Sequence, residues 1–356
     1  MARLLVLLLP FSWLYAGVMA VRNWLYDVGW KKSSAFAVPL LGVGNLRVGG
    51  TGKTPHVIWL VEELLRQGHR PAILSRGYGR QTTGPRLAGA ADSALTVGDE
   101  PWQYYGQFAA QAVPVAVAEK RRLGVELLLE AHPETTVIVL DDAYQHRAVR
   151  PALNVLLTEH ARPFYEDYVL PAGRLRESRS GARRADVVIV TKCPADLNEA
   201  AQEEIARRIG RYGRPDVPVL FSIYAYGPPQ PLAEAGAAGK GAPSAPAAGP
   251  ALLLTGIAQP QPLREWLEGQ GYTIAHHANL PDHHAFQPAD LDALQAHWQP
   301  GWPIFTTEKD ATRLQRPELW AGRPPLAAHT YTIPVQVAFL GTGADELRTL
   351  LPSRSA

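Results

Sequence analysis

Cysteine is nearly absent from the sequence, which has Cys193 alone among 356 residues. A single cysteine excludes an internal disulfide, and so few thiols are typical of a reducing compartment. A large excess of charge is also missing, because the formal net charge is only +2. This disfavours a broad nucleic-acid-binding surface, which needs a clear basic excess. Hydrophobic residues make up 46 % of the chain, enough for a sizeable core.

A stretch of 18 residues without charge lies near the N-terminus, from Leu4 to Val21, and basic residues follow it at Arg22, Lys31 and Lys32. The stretch is marginal for a transmembrane helix, which needs about 20 apolar residues. A cleaved signal peptide and a helix lying in the membrane interface are the alternatives. Aromatic side chains suited to headgroup depth are Phe11, Trp13, Tyr15, Trp24, Tyr26 and Trp30.

Beyond residue 32, short apolar runs alternate with helical segments. The runs typical of buried strands are 37–43, 71–74, 113–117, 137–140, 153–157 and 187–190, and the helical segments are 55–67 and 123–130. This alternation predicts βαβ units and a mostly parallel sheet flanked by helices. A second, smaller α/β unit is indicated by strands at 252–254 and 303–306 and a helix at 262–270.

The stretch from residue 228 to 250 is dominated by Ala, Gly and Pro and has no apolar period, which is typical of a linker or surface loop. We therefore predict four parts. They are a membrane-contacting segment (1–32), a phosphate-loop domain (33–227), the linker or loop (228–250) and a C-terminal α/β domain (251–356).

The strongest chemical signal is a glycine-rich loop between a predicted strand and a predicted helix. Its small residues allow backbone N–H groups to point at phosphate oxygens, next to the positive end of the helix. Lys53 can reach the β- and γ-phosphates, and Thr54 can hold Mg²⁺. The usual pattern has glycine where this chain has Arg47. We predict ATP and Mg²⁺ as cofactors, with the nucleotide held by Arg47, Val48, Gly49, Gly50, Thr51, Gly52, Lys53 and Thr54.

Two acids, Asp141 and Asp142, end the apolar run 137–140. A carboxylate at a strand end beside a phosphate loop can bind Mg²⁺ directly or through water. The alternative is an ordinary Asp turn after a strand. A site for ATP also argues against secretion, so we expect the N-terminal segment to be retained and the rest of the chain to lie in the cytoplasm.

The loop 43–54 resembles that of the tetraacyldisaccharide 4′-kinase family, the lipid A 4′-kinases, and six further motifs agree in order. They are Ser75-Arg76-Gly77-Tyr78-Gly79, Gly98-Asp99-Glu100-Pro101, 141–147, Pro171-Ala172-Gly173-Arg174-Leu175-Arg176-Glu177, Pro281-Asp282-His283-His284 and Thr307-Glu308-Lys309-Asp310. The sequence departs from the family pattern at Ala143 and Tyr144, where Gly and Phe are usual, and at Leu280, where Phe is usual.

The resemblance implies transfer of the ATP γ-phosphate to the 4′-hydroxyl of tetraacyldisaccharide 1-phosphate, forming lipid IVA in lipid A biosynthesis. It implies Asp99 as the base paired with His283, and Asp141, Asp142 and Glu177 as candidates for the Mg²⁺ shell. Read without the family, Asp99 is equally consistent with a helix cap, His283 with a surface residue and Glu177 with an ion-pair partner.

The same resemblance implies an acylated disaccharide 1-phosphate lipid as substrate. It places the protein at the cytoplasmic face of the bacterial inner membrane, anchored or embedded through the N-terminal segment. Neither nucleic acid nor an obligate protein partner is indicated. Arginines near Glu177 can bind the 1-phosphate or anionic headgroups; they are Arg174, Arg176, Arg179, Arg183 and Arg184.

Two other functions use the same loop. A membrane-attached regulatory ATPase would place a second lysine where this chain has Val48, which counts against it. A kinase for another amphiphilic acceptor fits the scaffold equally well, because a fold does not fix a function.

Overall fold

A computed structural model describes residues 2–232, 245 and 248–353 of the chain. Its strands are β1 (Leu40–Asn45), β2 (Pro71–Ser75), β3 (Arg86–Leu87), β4 (Val115–Val117), β5 (Val137–Asp141), β6 (Leu153–Glu159), β7 (Val187–Thr191), β8 (Val219–Tyr226), β9 (Gln230–Pro231), β10 (Gly249–Thr255), β11 (Tyr272–Asn279), β12 (Ile304–Thr307), β13 (Thr330–Ile333) and β14 (Val335–Phe339).

Helices flank these strands. They are α1 (Ala2–Asp27), α2 (Lys53–Arg66), α3 (Ala94–Val97), α4 (Asp99–Gln107), α5 (Arg121–Ala131), α6 (Glu199–Gly210), α7 (Gln261–Gly269), α8 (Pro288–Gln295), α9 (Glu308–Leu314), α10 (Pro317–Trp320), α11 (Pro324–Ala328) and α12 (Gly343–Leu350). Short 3₁₀ turns lie at Ala109–Gln111, Phe164–Glu166 and Arg179–Arg184.

The larger sheet has the strand order β14-β8-β7-β6-β1-β5-β2-β4-β3. Its pairs are parallel except at the two edges, where β3 and β14 run antiparallel to their neighbours. The predicted mostly parallel sheet is therefore confirmed. The chain leaves β1 for β2 on one side of the sheet and later returns to β6 on the other side. A crevice at the carboxyl ends of such diverging strands is the usual ligand site in an open α/β sheet.

Burial explains why β1 is central. Each of its six residues is buried, because helices cover both faces of the sheet. Helix α2 follows β1 and packs Val57, Leu60, Val61 and Leu64 against it, at the spacing of one helical face. Strand β1 and helix α2 thus fix the two ends of the loop between them.

The smaller sheet has the order β11-β10-β12-β13-β9, and α7, α8 and α9 pack around it. We call the regions built on the larger and smaller sheets the first and second lobes. Strand β14 and helix α12 follow the second lobe but return to the first, where β14 pairs with β8. The sequence-based boundary at 251 grouped these last elements with the second lobe, since their apolar pattern carries no information about which sheet they join.

The predicted linker at 228–250 falls partly outside the described residues, at 233–244 and 246–247. Its two ends are strands: β9 forms the antiparallel edge of the smaller sheet, and β10 begins at Gly249. The strands and helices predicted above all occur, with slightly shifted bounds. Among the elements that the sequence analysis missed are β8, β11, β13, β14, α6, α8 and α12. Polar residues interrupt the apolar pattern in several of them, such as His276 and His277 in β11.

Helix α1 is held against the first lobe by polar side chains along its length. The Ser12 hydroxyl accepts a hydrogen bond from the backbone N–H of Ala172 (2.9 Å), and Asn23 donates to Glu177 (2.7 Å). Large apolar side chains on the same helix are exposed, including Phe11 and Trp13. None of the helices in the described part of the chain is long and apolar enough to cross a bilayer.

Glu308, at the start of α9, lies where the two lobes meet. Its carboxylate accepts a hydrogen bond from the backbone N–H of Val335 (3.2 Å), at the start of the strand that returns to the first lobe. Burial raises the pKa of Glu308 from 4.5 to about 7, against the opposing effect of that hydrogen bond. The folded protein therefore holds a proton here that the unfolded chain releases, and stability falls as pH rises through about 7.

Glu308→Gln is expected to stabilise the protein above neutral pH by on the order of 2 kcal/mol, because it removes the cost of ionising a buried carboxyl while keeping an acceptor for Val335. The gain should vanish below the ordinary pKa of a glutamate. Thermal unfolding across this pH range measures it, with the exposed Glu203→Gln as the matched control. A gain that does not depend on pH would contradict this assignment.

Candidate active site

The loop between β1 and α2 has the backbone shape of a phosphate cradle. Gly49 and Gly52 adopt φ values of 114° and 85°, which favour glycine. Around Gly49 and Gly50 the space that a Cβ would fill is open, whereas a Cβ on Gly52 would lie 2.5 Å from the Tyr224 hydroxyl. The loop therefore leaves room for a ligand on one side and packs tightly on the other.

Buried hydrogen bonds hold this loop in shape. Asn45 donates to the Thr51 hydroxyl (2.6 Å). His56 lies between the Gly52 carbonyl (2.7 Å) and the Ser222 hydroxyl (2.9 Å), and burial lowers the pKa of His56 to about 4. A neutral imidazole in this position donates from Nδ1 to the carbonyl and accepts at Nε2 from the serine.

Arg47 lies in the loop at the position where glycine is usual, and its side chain is only 6 % exposed. It forms ion pairs with Glu159 (3.2 Å) and Asp167 (2.9 Å). The backbone N–H of Val48 donates to the Arg174 carbonyl (2.8 Å). Arg47 and Val48 therefore anchor the start of the loop, and the groups that remain for a nucleotide belong to 49–54.

Lys53 is the first residue of α2, and its ammonium lies 3.5 Å from a carboxylate oxygen of Asp142. Arg176 contacts both oxygens of the same carboxylate (3.0 and 2.9 Å). Burial alone would raise the pKa of Asp142, but Lys53 and Arg176 outweigh it and lower the pKa to about 2. Asp142 is therefore ionised, and it holds Lys53 at the mouth of the loop.

Asp141 ends β5 directly beside Val43 of β1 and is 4 % exposed. One carboxylate oxygen accepts a hydrogen bond from Ser75 (3.0 Å), and the other has no hydrogen-bond partner among the described residues. Burial raises the pKa of Asp141 to about 6, although Lys53 opposes the shift. A buried carboxylate oxygen without a donor is costly unless a cation or proton meets it.

These features fit the predicted cofactors. The unpartnered oxygen of Asp141, the hydroxyl of Thr54 and the carboxylate of Asp142 are hard oxygen ligands of the kind that Mg²⁺ takes. Burial of Tyr104 and the charge of Asp141 raise the pKa of Tyr104, while the Thr54 hydroxyl acts in the opposite direction, so the three side chains lie together. No cluster of three or more acidic, His or Cys side chains suited to a metal by itself occurs in the described part of the chain, which is consistent with a Mg²⁺ that arrives with nucleotide phosphates.

Glu177 was grouped with the metal ligands, but its surroundings favour the ion-pair alternative. It is 1 % exposed, and Arg184 contacts both of its oxygens (2.9 and 2.7 Å). Asn23 and Gln145 donate to the same two oxygens (2.7 and 3.0 Å). With four donors in place, Glu177 binds α1 to the first lobe and has little capacity left for a cation.

Asp99 begins α4 and faces the second lobe. Its carboxylate lies 3.1 Å from Nδ1 of His283 and 3.5 Å from Nε of Arg313. Lys309 lies 3.1 Å from Nε2 of the same histidine. Because an ammonium can only donate, Nε2 accepts and Nδ1 carries the proton that is donated to Asp99. The structure thus brings together the two residues that the motifs paired, from opposite lobes.

Glu100 connects this pair with the metal side of the site. Its charge contributes to the raised pKa of Asp141, and its carboxylate lies 3.9 Å from Lys309. Tyr104, one turn further along α4, approaches Thr54 and Asp141. A single helix therefore carries Asp99 toward the second lobe and Tyr104 toward the phosphate loop.

Sequence reasoning did not assign roles to Lys309, Arg313 or Arg121. The motif 307–310 was the available signal for Lys309. Arg176 was predicted to bind the 1-phosphate or anionic headgroups, and the structure pairs it with Asp142. Burial and the charges of Arg121 and Arg76 lower the pKa of His146 to about 4, so positive charge gathers on this side of Asp142.

Known proteins match nearly the whole chain. The family model for LpxK, described as tetraacyldisaccharide-1-P 4′-kinase, matches residues 4–355. This chain belongs to that family. A tetraacyldisaccharide 4′-kinase from Bacteroides thetaiotaomicron is 41 % identical over 351 residues, which cover 95 % of this chain and 90 % of that protein. One from Cytophaga hutchinsonii is 39 % identical over 363 residues, covering 97 % and 94 %.

A solved structure agrees with the sequence relatives. The crystal structure of LpxK from Aquifex aeolicus in complex with ATP superimposes with a TM-score of 0.75 at 27 % identity, covering 98 % of each chain. The family prediction made from the sequence motifs is confirmed, and with it a kinase that uses ATP and Mg²⁺.

Asp141→Asn is expected to weaken Mg²⁺ binding in the presence of ATP by at least on the order of tenfold, because it removes the charge from a buried carboxylate oxygen that lacks a donor. Titration of activity and of nucleotide binding with Mg²⁺ measures the change. Asp216→Asn, at an exposed position, is the matched control. An unchanged Mg²⁺ requirement would remove Asp141 from the metal shell.

Proposed function

We propose that this chain transfers the γ-phosphate of ATP to the 4′-hydroxyl of a tetraacylated disaccharide 1-phosphate, forming lipid IVA, with Asp99 as the base. The observation that supports the role of Asp99 is its contact with His283 across the two lobes. Family membership supports the reaction and the substrate. Membership of a kinase family counts against the alternative of a regulatory ATPase.

The chemistry of Asp99 follows from its partners. A sugar hydroxyl is a poor nucleophile and requires its proton to be accepted during transfer. His283 and Arg313 both contact the Oδ2 oxygen of Asp99, and among the described residues no hydrogen bond reaches Oδ1. We assign Oδ1 as the oxygen that accepts the proton, while the two partners hold the carboxylate in place.

The remaining groups handle charge and position. Lys53 lies at the start of α2, where it can reach the β- and γ-phosphates, and Asp142, which also pairs with Arg176, holds it there. Bound Mg²⁺, held by Asp141, Asp142 and Thr54, would neutralise phosphate charge as it moves to the leaving group. Positioning and charge neutralisation supply most of the acceleration in phosphoryl transfer, since no covalent intermediate is needed.

Asp99→Asn is expected to keep ATP binding and to lower kcat by about 10²–10⁴-fold, because the amide cannot accept the proton of the hydroxyl. Transfer of label from ATP to the tetraacyl disaccharide in detergent measures turnover, and calorimetry measures ATP binding. The exposed Asp216→Asn is the control. Retained turnover would exclude Asp99 as the base, and no labelled lipid with the unaltered chain would contradict the proposed reaction.

The lipid substrate reaches the site from a membrane, and α1 supplies the contact surface. Along α1 the side chains of Phe11, Trp13, Leu14, Val18 and Trp24 are each more than half exposed. Exposed aromatic and aliphatic groups on one helix are typical of a segment that binds the interface of a bilayer. Since ATP is cytoplasmic, we propose that the protein binds the cytoplasmic face of the inner membrane.

Not every arginine after Gly173 is available for the substrate phosphate. Arg184 binds Glu177, and Arg179 binds the Asp167 carbonyl (3.0 Å) and lies 3.2 Å from the Tyr212 hydroxyl. Arg174 and Arg183 are exposed. Of the predicted set, these two are the candidates for the 1-phosphate or for anionic headgroups.

The double variant Phe11→Ser/Trp13→Ser is expected to lose most binding to phospholipid vesicles, because the two side chains supply a large part of the exposed apolar surface of α1. Vesicle flotation measures it. Leu95→Ser, an exposed apolar position on α3, is the matched control. Turnover of a detergent-dispersed substrate should change less than vesicle binding. Equal vesicle binding by the double variant and the unaltered chain would contradict a membrane role for α1.

A further inference from the structure

Backbone strain points to a third residue of this site. Four non-glycine residues of the described chain have positive φ: Ala112, Asp142, Lys192 and His283. Asp142 and His283 belong to the proposed metal and base positions. Side chains other than glycine adopt this conformation at a cost, and where it persists near a site it is often part of the function. Ala112 ends the 3₁₀ turn Ala109–Gln111, and Lys192, with a φ of 57°, is the charged member without an assigned role.

Lys192 follows the last residue of β7, two strands from β1 in the larger sheet. Its ammonium donates to the carbonyl of Gly50 in the phosphate loop (2.6 Å). It also donates to Glu159 at the end of β6, and to the side-chain oxygen of Gln259 (2.8 Å). These three acceptors use the three donors of an ammonium group.

The adjacent residue acts on the same loop. The hydroxyl of Thr191 donates to the carbonyl of Thr51 (2.9 Å). Two consecutive loop carbonyls, at Gly50 and Thr51, are therefore held by the end of β7. Since a peptide unit is planar and trans, fixing a carbonyl also fixes the direction of the N–H group of the next residue. The end of β7 thus sets the orientation of amides in the phosphate-binding loop.

Glu159 keeps the Lys192 ammonium in place. This carboxylate is 5 % exposed, and it binds Lys192 and Arg47 at the same time. Arg47 anchors the start of the loop and Lys192 holds its middle. One buried acid therefore connects both attachments.

The hydrogen bond from Lys192 to Gln259 joins the two lobes, because Gln259 belongs to the second lobe. It lies between β10 and α7. That lobe also supplies His283, the partner of Asp99. The Lys192 ammonium therefore links, through two hydrogen bonds, the phosphate-binding loop to the lobe that carries His283.

We propose that Lys192 is a positioning residue that fixes the phosphate loop for nucleotide binding and ties it to the second lobe through Gln259. It acts through Gly50 and Gln259 and does not touch the reacting atoms. The strained backbone aims its side chain at the loop. The inference rests on the proposed use of this loop for ATP.

The experiment compares Lys192→Met, Lys192→Arg and Gln259→Leu in the full-length protein. The affinity for ATP with Mg²⁺ is measured by calorimetry, and kcat is measured by the lipid-phosphorylation assay. Lys120→Met, at an exposed lysine distant from these contacts, is the matched control. Thermal unfolding of each variant shows whether the fold is kept.

Lys192→Met should weaken ATP binding by about tenfold or more, because the Gly50 carbonyl loses its donor. Lys192→Arg should recover much of this affinity, since a guanidinium can donate to the same acceptors. Gln259→Leu should keep the ATP affinity within about twofold and lower kcat several-fold, because it removes only the tie between the lobes.

Wild-type ATP affinity in folded Lys192→Met would overturn the proposal. Should Lys192→Met fail to fold, the kcat of Gln259→Leu tests the proposal instead. An unchanged kcat in Gln259→Leu would contradict the proposed link between the lobes. Failure of the unaltered chain to bind ATP would instead contradict the proposed function, so the two failures are distinguishable.

Discussion

The parallel pairing of β1 with β5 on one side and with β6 on the other is the constraint on which the site depends. It places the start of the phosphate loop beside Asp141, with Val43 and Asp141 in register. Since carboxyl ends of parallel strands meet at one edge of a sheet, the loop, the acids and the β6 residue Glu159 share that edge without long-range adjustment. Helices pack their apolar side chains against both faces of the sheet and hold the strands in this order.

Charge at this edge is arranged in connected groups. Asp142 carries two cationic partners and stays ionised, while Asp141, one residue away, keeps an oxygen without a donor and a raised pKa. The pKa values of these two neighbouring carboxyls are thus shifted in opposite directions because their surroundings differ. A second group, Arg47 with Glu159 and Lys192, lies under the loop and stabilises its shape. The first group faces the ligand, and the second supports the backbone that binds it.

The base lies at the junction of the two lobes. Asp99 comes from the first lobe, and His283, Lys309 and Arg313 come from the second. The ion pairs that orient the base therefore also hold the lobes together, as does the contact between Glu308 and Val335. The relative position of the lobes and the geometry of the base are consequently a single property of this protein, and the exposed face of α1 can present a lipid to it.

The sequence by itself determined the phosphate loop, the acids after β5 and the succession of strands and helices, because these are local patterns of glycine, charge and apolar spacing. The motifs added the pairing of Asp99 with His283. Only the tertiary structure decided that Arg47 supports the loop, that Glu177 binds Arg184 and that β14 returns to the larger sheet. Each of these depends on residues far apart in the chain, and the side-chain pattern along one segment does not encode which distant partner it meets.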